Sequence, residues 1–195
     1  MTIPNILTCL RLAMAPVFIV VFATGGPRAA VGALVIAIAF EVTDLLDGYI
    51  ARSYGQVSEI GKLIDPLADS VARFSVFLAF TTESSVQGDV WPVLIVAAIF
   101  YRDAAVAYTR TFAASTGVVL SARFSGKMKA VFQGSGIIIF LAVRAASHFY
   151  PSLQNYRATV FYSVMVPIVV VTLWSAIDYV SSNREAIGAM ANRKS

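Results

Sequence analysis

Four carboxylates sit within one short stretch of this chain, and any fold it adopts must accommodate them. The stretch reads Asp44-Leu-Leu-Asp47-Gly48-Tyr-Ile-Ala51-Arg52, then eight residues, then Gly61-Lys-Leu-Ile-Asp65-Pro-Leu-Ala-Asp69. Only 13% of the residues are charged, so a group of four acids is conspicuous. Asp44 and Asp47 are spaced i,i+3 and Asp65 and Asp69 i,i+4, and either spacing puts a pair on one helix face about one turn apart. The stretch reads as two helix segments joined by a short polar link, turning four carboxylates toward one point. Four like charges cannot share a site unpaired. Hard divalent cations, which prefer oxygen ligands, are the economical partners.

The surroundings are those of a membrane protein. Of 195 residues 58% are hydrophobic, and the mean hydropathy is +0.75. Soluble domains are about 45–50% apolar and about 25% charged. The length suits one domain, residues 1–195, of six spans at roughly 20 apolar residues each. The net charge of +4 fits an anionic inner leaflet or an anionic substrate. No basic run with interleaved aromatics suggests nucleic-acid binding. The single Cys9 allows no intrachain disulfide, and the lone His148 reads as a polar interface residue.

The expected spans are residues 1–24, 29–53, 65–82, 90–114, 130–147 and 158–181. Arg11 falls inside the first, which also lacks a positive leading region, so it does not read as a signal peptide. Asn5, Thr8 and Arg11 recur every three residues and form one stripe, expected to face the acids. Gly25, Gly26 and Pro27 make the first turn, and residues 53–63, with Gly55 and Gly61, the polar link. Pro66 is expected in the first turn of the third span. Glu41 lies one turn before Asp44, able to tune the site or to meet an arginine of another helix. Arg73, i+4 from Asp69, suits an internal ion pair as well as a substrate role. Arg102 and Asp103 interrupt the fourth span, where ionisable residues face a polar cavity or pair with each other. With the N-terminus inside, Arg52, Lys62, Arg123, Lys127, Lys129, Arg184, Arg193 and Lys194 are cytoplasmic, and Arg28, Arg144 and Arg157 are external. That bias puts both termini in the cytoplasm, requires an even number of spans, and opens the acid site to the cytoplasm.

The acid-rich stretch resembles the signature of the CDP-alcohol phosphotransferases, D-x2-D-G-x2-A-R-x8-G-x3-D-x3-D, and meets every fixed position: Asp44, Asp47, Gly48, Ala51, Arg52, Gly61, Asp65 and Asp69. The resemblance implies an all-α integral membrane enzyme with a polar active-site cavity at the cytoplasmic side, working as a homodimer. It implies two divalent ions, Mg or Mn, held by Asp44, Asp47 and Asp65, with Asp69 as the base and a possible further ligand. Asn5, Thr8, Gly48, Ala51, Arg52 and Gly61 would bind CDP-diacylglycerol. Family members often begin with a similar P-N-x-x-T-x-x-R.

The acceptor is read from other segments. Arg110, Arg123, Lys127 and Lys129 suit a phosphorylated alcohol, and also suit a positive-inside loop. Ile3 to Thr8 with Arg11, Asp65 to Asp69, Gly126-Lys127-Met128-Lys129 with Gln133, and Leu173-Trp174-Ser175 are similar to the bacterial phosphatidylglycerophosphate synthase branch, which uses glycerol 3-phosphate. The chain departs from that branch at Ser70, Asp103 and Ala130, where Lys, Glu and Thr are common. Inositol phosphate and serine remain alternative acceptors. An intramembrane cation-binding or transport protein would explain buried acids, but not the fixed glycines, Ala51 and Arg52. The implied location is the bacterial inner membrane.

Overall fold

The computed structural model describes residues 3–53, 59–115 and 123–192. Long helices make up nearly all of it: α1 (Ile3–Thr24), α2 (Gly26–Ser53), α3 (Glu59–Phe80), α4 (Trp91–Ser115), α5 (Phe124–Ala146), α6 (Arg157–Ser182) and a short α7 (Arg184–Asn192). Short 3-10 turns at Ser84–Val86 and Pro151–Tyr156 lead into α4 and α6. No strand occurs among the described residues. In an apolar solvent every backbone N–H and C=O must be satisfied internally, and an uninterrupted helix does so. Among the described residues, five helical segments are long and apolar enough to cross a membrane: Asn5–Thr24, Gly26–Asp47, Trp91–Ala113, Phe124–Ala146 and Pro151–Ser182. Of the six expected spans, the third is the one outside this set. Its helix, α3, has 22 residues but includes Lys62, Asp65, Asp69 and Arg73.

Several boundaries differ from expectation. α3 begins at Glu59, more than a turn early, so Gly61 opens that helix and Pro66 does not. α5 begins at Phe124, so Lys127 and Lys129 are helical and not part of a loop. Most of the expected links, at 54–58 and 116–122, and the basic residues Arg193 and Lys194 lie outside the described residues. The first turn is tighter than expected: it falls at Gly25, and Gly26 and Pro27 already open α2; Gly25 and Gly26 adopt φ of 70° and 79°, which an L side chain resists.

The helices alternate in direction, and contacts at both ends show it. Thr8 near the start of α1 meets Asp65 near the start of α3, and Phe22 near the end of α1 meets Phe80 at the end of α3, ring centroids 5.7 Å apart. α2 therefore returns between them, and its last turns reach Arg11. α5 runs with α1 and α3, and α6 runs back along it, with Gln133 donating to Thr172 at 3.4 Å.

The two ends of the bundle differ in chemistry. At one end an aromatic chain ties four helices together: Phe22–Phe80 at 5.7 Å, Phe80–Phe140 at 4.7 Å and Phe140–Phe161 at 5.3 Å. All four rings are buried. Edge-to-face and tilted pairs of this kind add to their area burial. Beside them Glu83, wholly buried, accepts from Arg144 Nε at 2.9 Å and from Arg157. Small residues bring helices close, as packing in lipid favours. A Cβ at Gly136 of α5 would lie 2.6 Å from Ile168 of α6. The carboxylate stretch occupies the other end.

Candidate active site

Arg11 organises the polar end. Its side chain is 1% exposed, carried on the α1 face that also bears Thr8. Nη2 donates to Asp47 Oδ2 at 2.5 Å, and Nη1 lies 3.3 Å from Asp44 Oδ1 and 3.6 Å from Asp65 Oδ1. Thr8 Oγ1 donates to Asp65 Oδ1 at 3.4 Å. The expected stripe thus faces the acids, and Asn5 lies one turn before Thr8, half-buried. Asp44, Asp47 and Asp65 each offer an oxygen, all within 4.8 Å of one another. One guanidinium offsets only one of three charges. The donor set is all carboxylate oxygen, and hard divalent cations fit it.

Asp69 is turned a little away from this trio. Its Oδ1 accepts from Arg73 Nε at 2.9 Å, the ion pair that the spacing allowed. It also faces two voids. One, of about 10 Å³, is lined by Arg11, Glu41, Asp44, Asp69 and Arg73. The other, of about 300 Å³ between α3, α4 and the start of α5, is lined by Asp69, Arg73, Arg102, Asp103, Arg110 and Lys129 among others. Asp69 therefore lies between the carboxylate trio and a basic cavity.

That cavity sorts the basic candidates. Arg110 and Lys129 reach it. Lys129 Nζ donates to Asp103 Oδ1 at 2.7 Å, and Arg102 Nη1 donates to the same oxygen at 3.1 Å. Arg110 also lies over the Tyr179 ring, 5.3 Å from its centroid. Arg123 and Lys127 are not among the lining residues. Arg123 meets Asp178 at 3.5 Å, and Ser125 donates to the same carboxylate at 2.5 Å. Lys127 is exposed. Residues i and i+2 of a helix are about 200° apart in rotation, so Lys127 and Lys129 face opposite ways once α5 starts at Phe124.

Gly48, Ala51 and Arg52 belong to the helical backbone of α2, and Gly61 to that of α3. Their immediate surroundings lie outside the described residues. Glu41 does meet an arginine-lined void, and it packs on Gly134 of α5, where a Cβ would lie 2.9 Å from Oε2. Arg102 and Asp103 both pair and line the cavity, so the two roles weighed for them coincide. Sequence reading passed over the Glu83–Arg144–Arg157 cluster at the far end. The available signal was an acid and two arginines beside apolar spans on the same predicted side.

The model of the CDP-alcohol phosphatidyltransferase family matches residues 1–174. A probable phosphatidylglycerophosphate synthase of Mycobacterium tuberculosis H37Rv is 30% identical over 189 residues, 95% of this chain and 83% of its own length. A CDP-diacylglycerol–glycerol-3-phosphate 3-phosphatidyltransferase of Bacillus subtilis 168 is 30% identical over 205 residues, 95% of this chain and 96% of its own. One of the same name from Rickettsia bellii is 36% identical over 132 residues, 67% of this chain and 70% of its own.

Proposed function

Since the chain belongs to the CDP-alcohol phosphatidyltransferase family, we propose that it transfers the phosphatidyl group of CDP-diacylglycerol to glycerol 3-phosphate. The products are phosphatidylglycerophosphate and CMP. The observation that carries this is the position of Asp69 between a carboxylate trio and a basic cavity. The names of the relatives supply the acceptor.

Asp44, Asp47 and Asp65 would hold divalent metal, with Asp69 as a further ligand, and the two-ion reading follows the family pattern. Bound there, Mg or Mn would neutralise the diphosphate and stabilise the charge on the leaving CMP. The acceptor hydroxyl attacks the phosphorus that bears the diacylglycerol, the bond from that phosphorus to the CMP oxygen breaks, and Asp69 takes the hydroxyl proton. Arg73 engages one oxygen of Asp69 and leaves the other for the acceptor. Gly48, Ala51, Arg52 and Gly61, with Asn5 and Thr8, form the CDP-diacylglycerol side.

The cavity suits the acceptor's phosphate. Four cations (Arg73, Arg102, Arg110, Lys129) against two carboxylates (Asp69, Asp103) leave two positive charges. A phosphate monoester carries about −1.5 to −2 at neutral pH. Serine, without a phosphate, would leave that excess unmatched. Arg123 and Lys127 act outside the cavity, drawing the anionic acceptor toward it. In the membrane we read six spans, with α3 as the sixth, its charged half turned into the bundle. Both termini and the site are on the cytoplasmic side of a bacterial inner membrane, and the enzyme is a homodimer.

The test is CMP release by detergent-purified protein with CDP-diacylglycerol and Mg or Mn, given glycerol 3-phosphate, inositol phosphate or serine in separate reactions. Release with glycerol 3-phosphate, lost in Asp69→Asn, is expected. Losing Lys129 removes a charge-assisted contact of about 1.5–3 kcal/mol, so Lys129→Ala should raise the acceptor KM roughly 10- to 150-fold. Lys127→Ala should change it little. Release with serine alone would overturn the acceptor. Divalent binding without release for any acceptor would favour a cation-binding protein.

A further inference from the structure

The four cations of the basic cavity are not held alike. Arg73 donates to Asp69, and Lys129 and Arg102 share Asp103 Oδ1. Each of these three is partly neutralised by a carboxylate. Among the described residues no carboxylate pairs with Arg110. Asp178, the acid of α6 at this end, is engaged by Ser125 and Arg123. Arg110 is therefore the cation of the set with most charge left for a phosphate.

Arg110 is also exposed, and an arginine on a helix surface samples many rotamers and loses that freedom when fixed. What lies beneath it is the Tyr179 ring of α6, its centroid 5.3 Å from Cζ. That ring is only 3% exposed, so the packing of α6 holds it still. A cation over a ring face is attracted by the ring's quadrupole, and this contact consumes none of the five N–H donors of a guanidinium. The hydroxyl has no share in it: Tyr179 Oη is buried without a hydrogen-bond partner among the described residues. A buried hydroxyl left unpaired is destabilising, so the ring is the useful part of this side chain.

We propose that Tyr179 is a positioning residue for the acceptor: its ring holds Arg110 at the basic cavity, where the guanidinium receives the phosphate of glycerol 3-phosphate. This rests on the acceptor reading of the cavity. Tyr179 is not among the residues that line the cavity, and it acts through Arg110. When a binding-competent arrangement is only fractionally populated, the apparent affinity falls by that fraction. Losing the ring should therefore weaken acceptor binding and leave the chemical step alone.

The experiment measures CMP release by detergent-purified protein, with kcat and the KM of each substrate. Tyr179→Leu should raise the KM for glycerol 3-phosphate roughly 5- to 30-fold, the range of a partly to fully desolvated cation–π contact. Its kcat and its KM for CDP-diacylglycerol should stay within twofold. Tyr179→Phe keeps the ring and should keep the acceptor KM within twofold, with a Tm no lower than that of wild type. Arg110→Ala should raise the acceptor KM at least as far as Tyr179→Leu does. In the Arg110→Ala background Tyr179→Leu should add less than twofold, because no guanidinium is left to hold. A packing defect would add its full effect in either background. Tyr179→Met is the ringless side chain of closer length if leucine prevents folding. An acceptor KM raised as much by phenylalanine as by leucine would overturn the inference, as would full additivity with Arg110→Ala. An unchanged acceptor KM in Tyr179→Leu, with a raised one in Arg110→Ala, would overturn this inference and leave the acceptor reading standing. An unchanged acceptor KM in Arg110→Ala would overturn both.

Discussion

Replacing Arg11 by methionine tests whether one guanidinium and a divalent cation answer the same need. Arg11 is 1% exposed and contacts Asp44, Asp47 and Asp65, whose side chains are 37%, 5% and 46% exposed. Water screens the half-exposed acids, and pairs of that kind contribute about 0–1 kcal/mol. Asp47 is different: it is buried and holds Nη2 at 2.5 Å. Removing one partner of a buried pair costs about 3–5 kcal/mol, because a charge is left behind. Methionine fills much of the space without charge, so the lower end applies, roughly 3 kcal/mol. For a chain of 195 residues that corresponds to a fall of roughly 6–12 °C in Tm. The assay is thermal unfolding followed by far-ultraviolet circular dichroism in detergent, with EDTA or with saturating Mg or Mn. A cation at a hundredfold its Kd stabilises by about 2.7 kcal/mol, enough to recover most of the loss. In wild type the guanidinium and the cation repel each other, so the metal should raise Tm less than in Arg11→Met. Equal metal-induced shifts in the two proteins, or a variant as stable as wild type in EDTA, would refute the reasoning.

Three further outcomes follow from contacts away from the acids. Gly136→Ala places a Cβ 2.6 Å from Ile168 Cδ1 and 2.8 Å from Val164 Cγ1, and overpacking of that kind costs about 1–3 kcal/mol. Ile168→Val removes the nearer atom, so the double variant should regain part of the loss, measured as a coupling energy in detergent unfolding. Glu83→Gln leaves Arg144 and Arg157 facing each other at a site where Glu83 is 0% exposed, and should lower stability by about 3–5 kcal/mol. Adding Arg144→Met should restore some of it, whereas an unaltered Glu83→Gln protein would show that the cluster is idle. Asp89 lies between spans, and the Tyr162 hydroxyl, then the Trp91 N–H, hold its carboxyl below the usual carboxylate range. Its stabilising effect is therefore present above the ordinary pKa and lost as pH falls through the lowered one. Asp89→Asn should reduce stability at neutral pH and flatten the acid limb of a Tm–pH profile.

Much of the site could be read because its residues are spaced by helix geometry. Asp44 and Asp47, then Asp65 and Asp69, repeat at one turn, and Thr8 and Arg11 do the same on α1. Those intervals fix a shared face before any tertiary contact is known. The helix ends were harder, because apolar helices in lipid show little periodicity. The start of α3 at Glu59 and of α5 at Phe124 depends on polar residues near the membrane edge, where helix and link have similar compositions. Missing the start of α5 had a direct cost for the site. A loop can aim Lys127 and Lys129 the same way, and a helix cannot. The pairing of Lys129 with Asp103, and of Glu83 with Arg144 and Arg157, joins segments 26 to 74 residues apart. Nothing local specifies such partners.

The distribution of charge along the bundle still gives a reason for those distant pairings. Most ionisable residues of the long helices, Arg28 of α2 being an exception at the other end, lie toward one end: Arg11 in α1, Glu41 to Asp47 in α2, Asp65 to Arg73 in α3, Arg102 to Arg110 in α4, Lys127 and Lys129 in α5 and Asp178 in α6. These positions fall early in the odd-numbered helices and late in the even-numbered ones, which is what antiparallel neighbours need to bring them to a common level. Glu83, Arg144 and Arg157 reverse the pattern, lying at or just beyond the other helix ends, and they meet at the other level. A charge placed midway between the two levels would face buried apolar side chains such as Phe18 and Phe77 with no partner, at a desolvation cost of several kcal/mol. The apolar middle layer thus confines polar groups to two sites, and only one of them has an excess of carboxylates beside an excess of cations. A phosphoryl-transfer centre requires that division, with negative charge to hold the metal and positive charge to hold the acceptor. On this argument an acid introduced at Phe18, wholly buried in the core, should cost stability without creating activity, while exchanging acids within the first level should alter chemistry before it alters the fold.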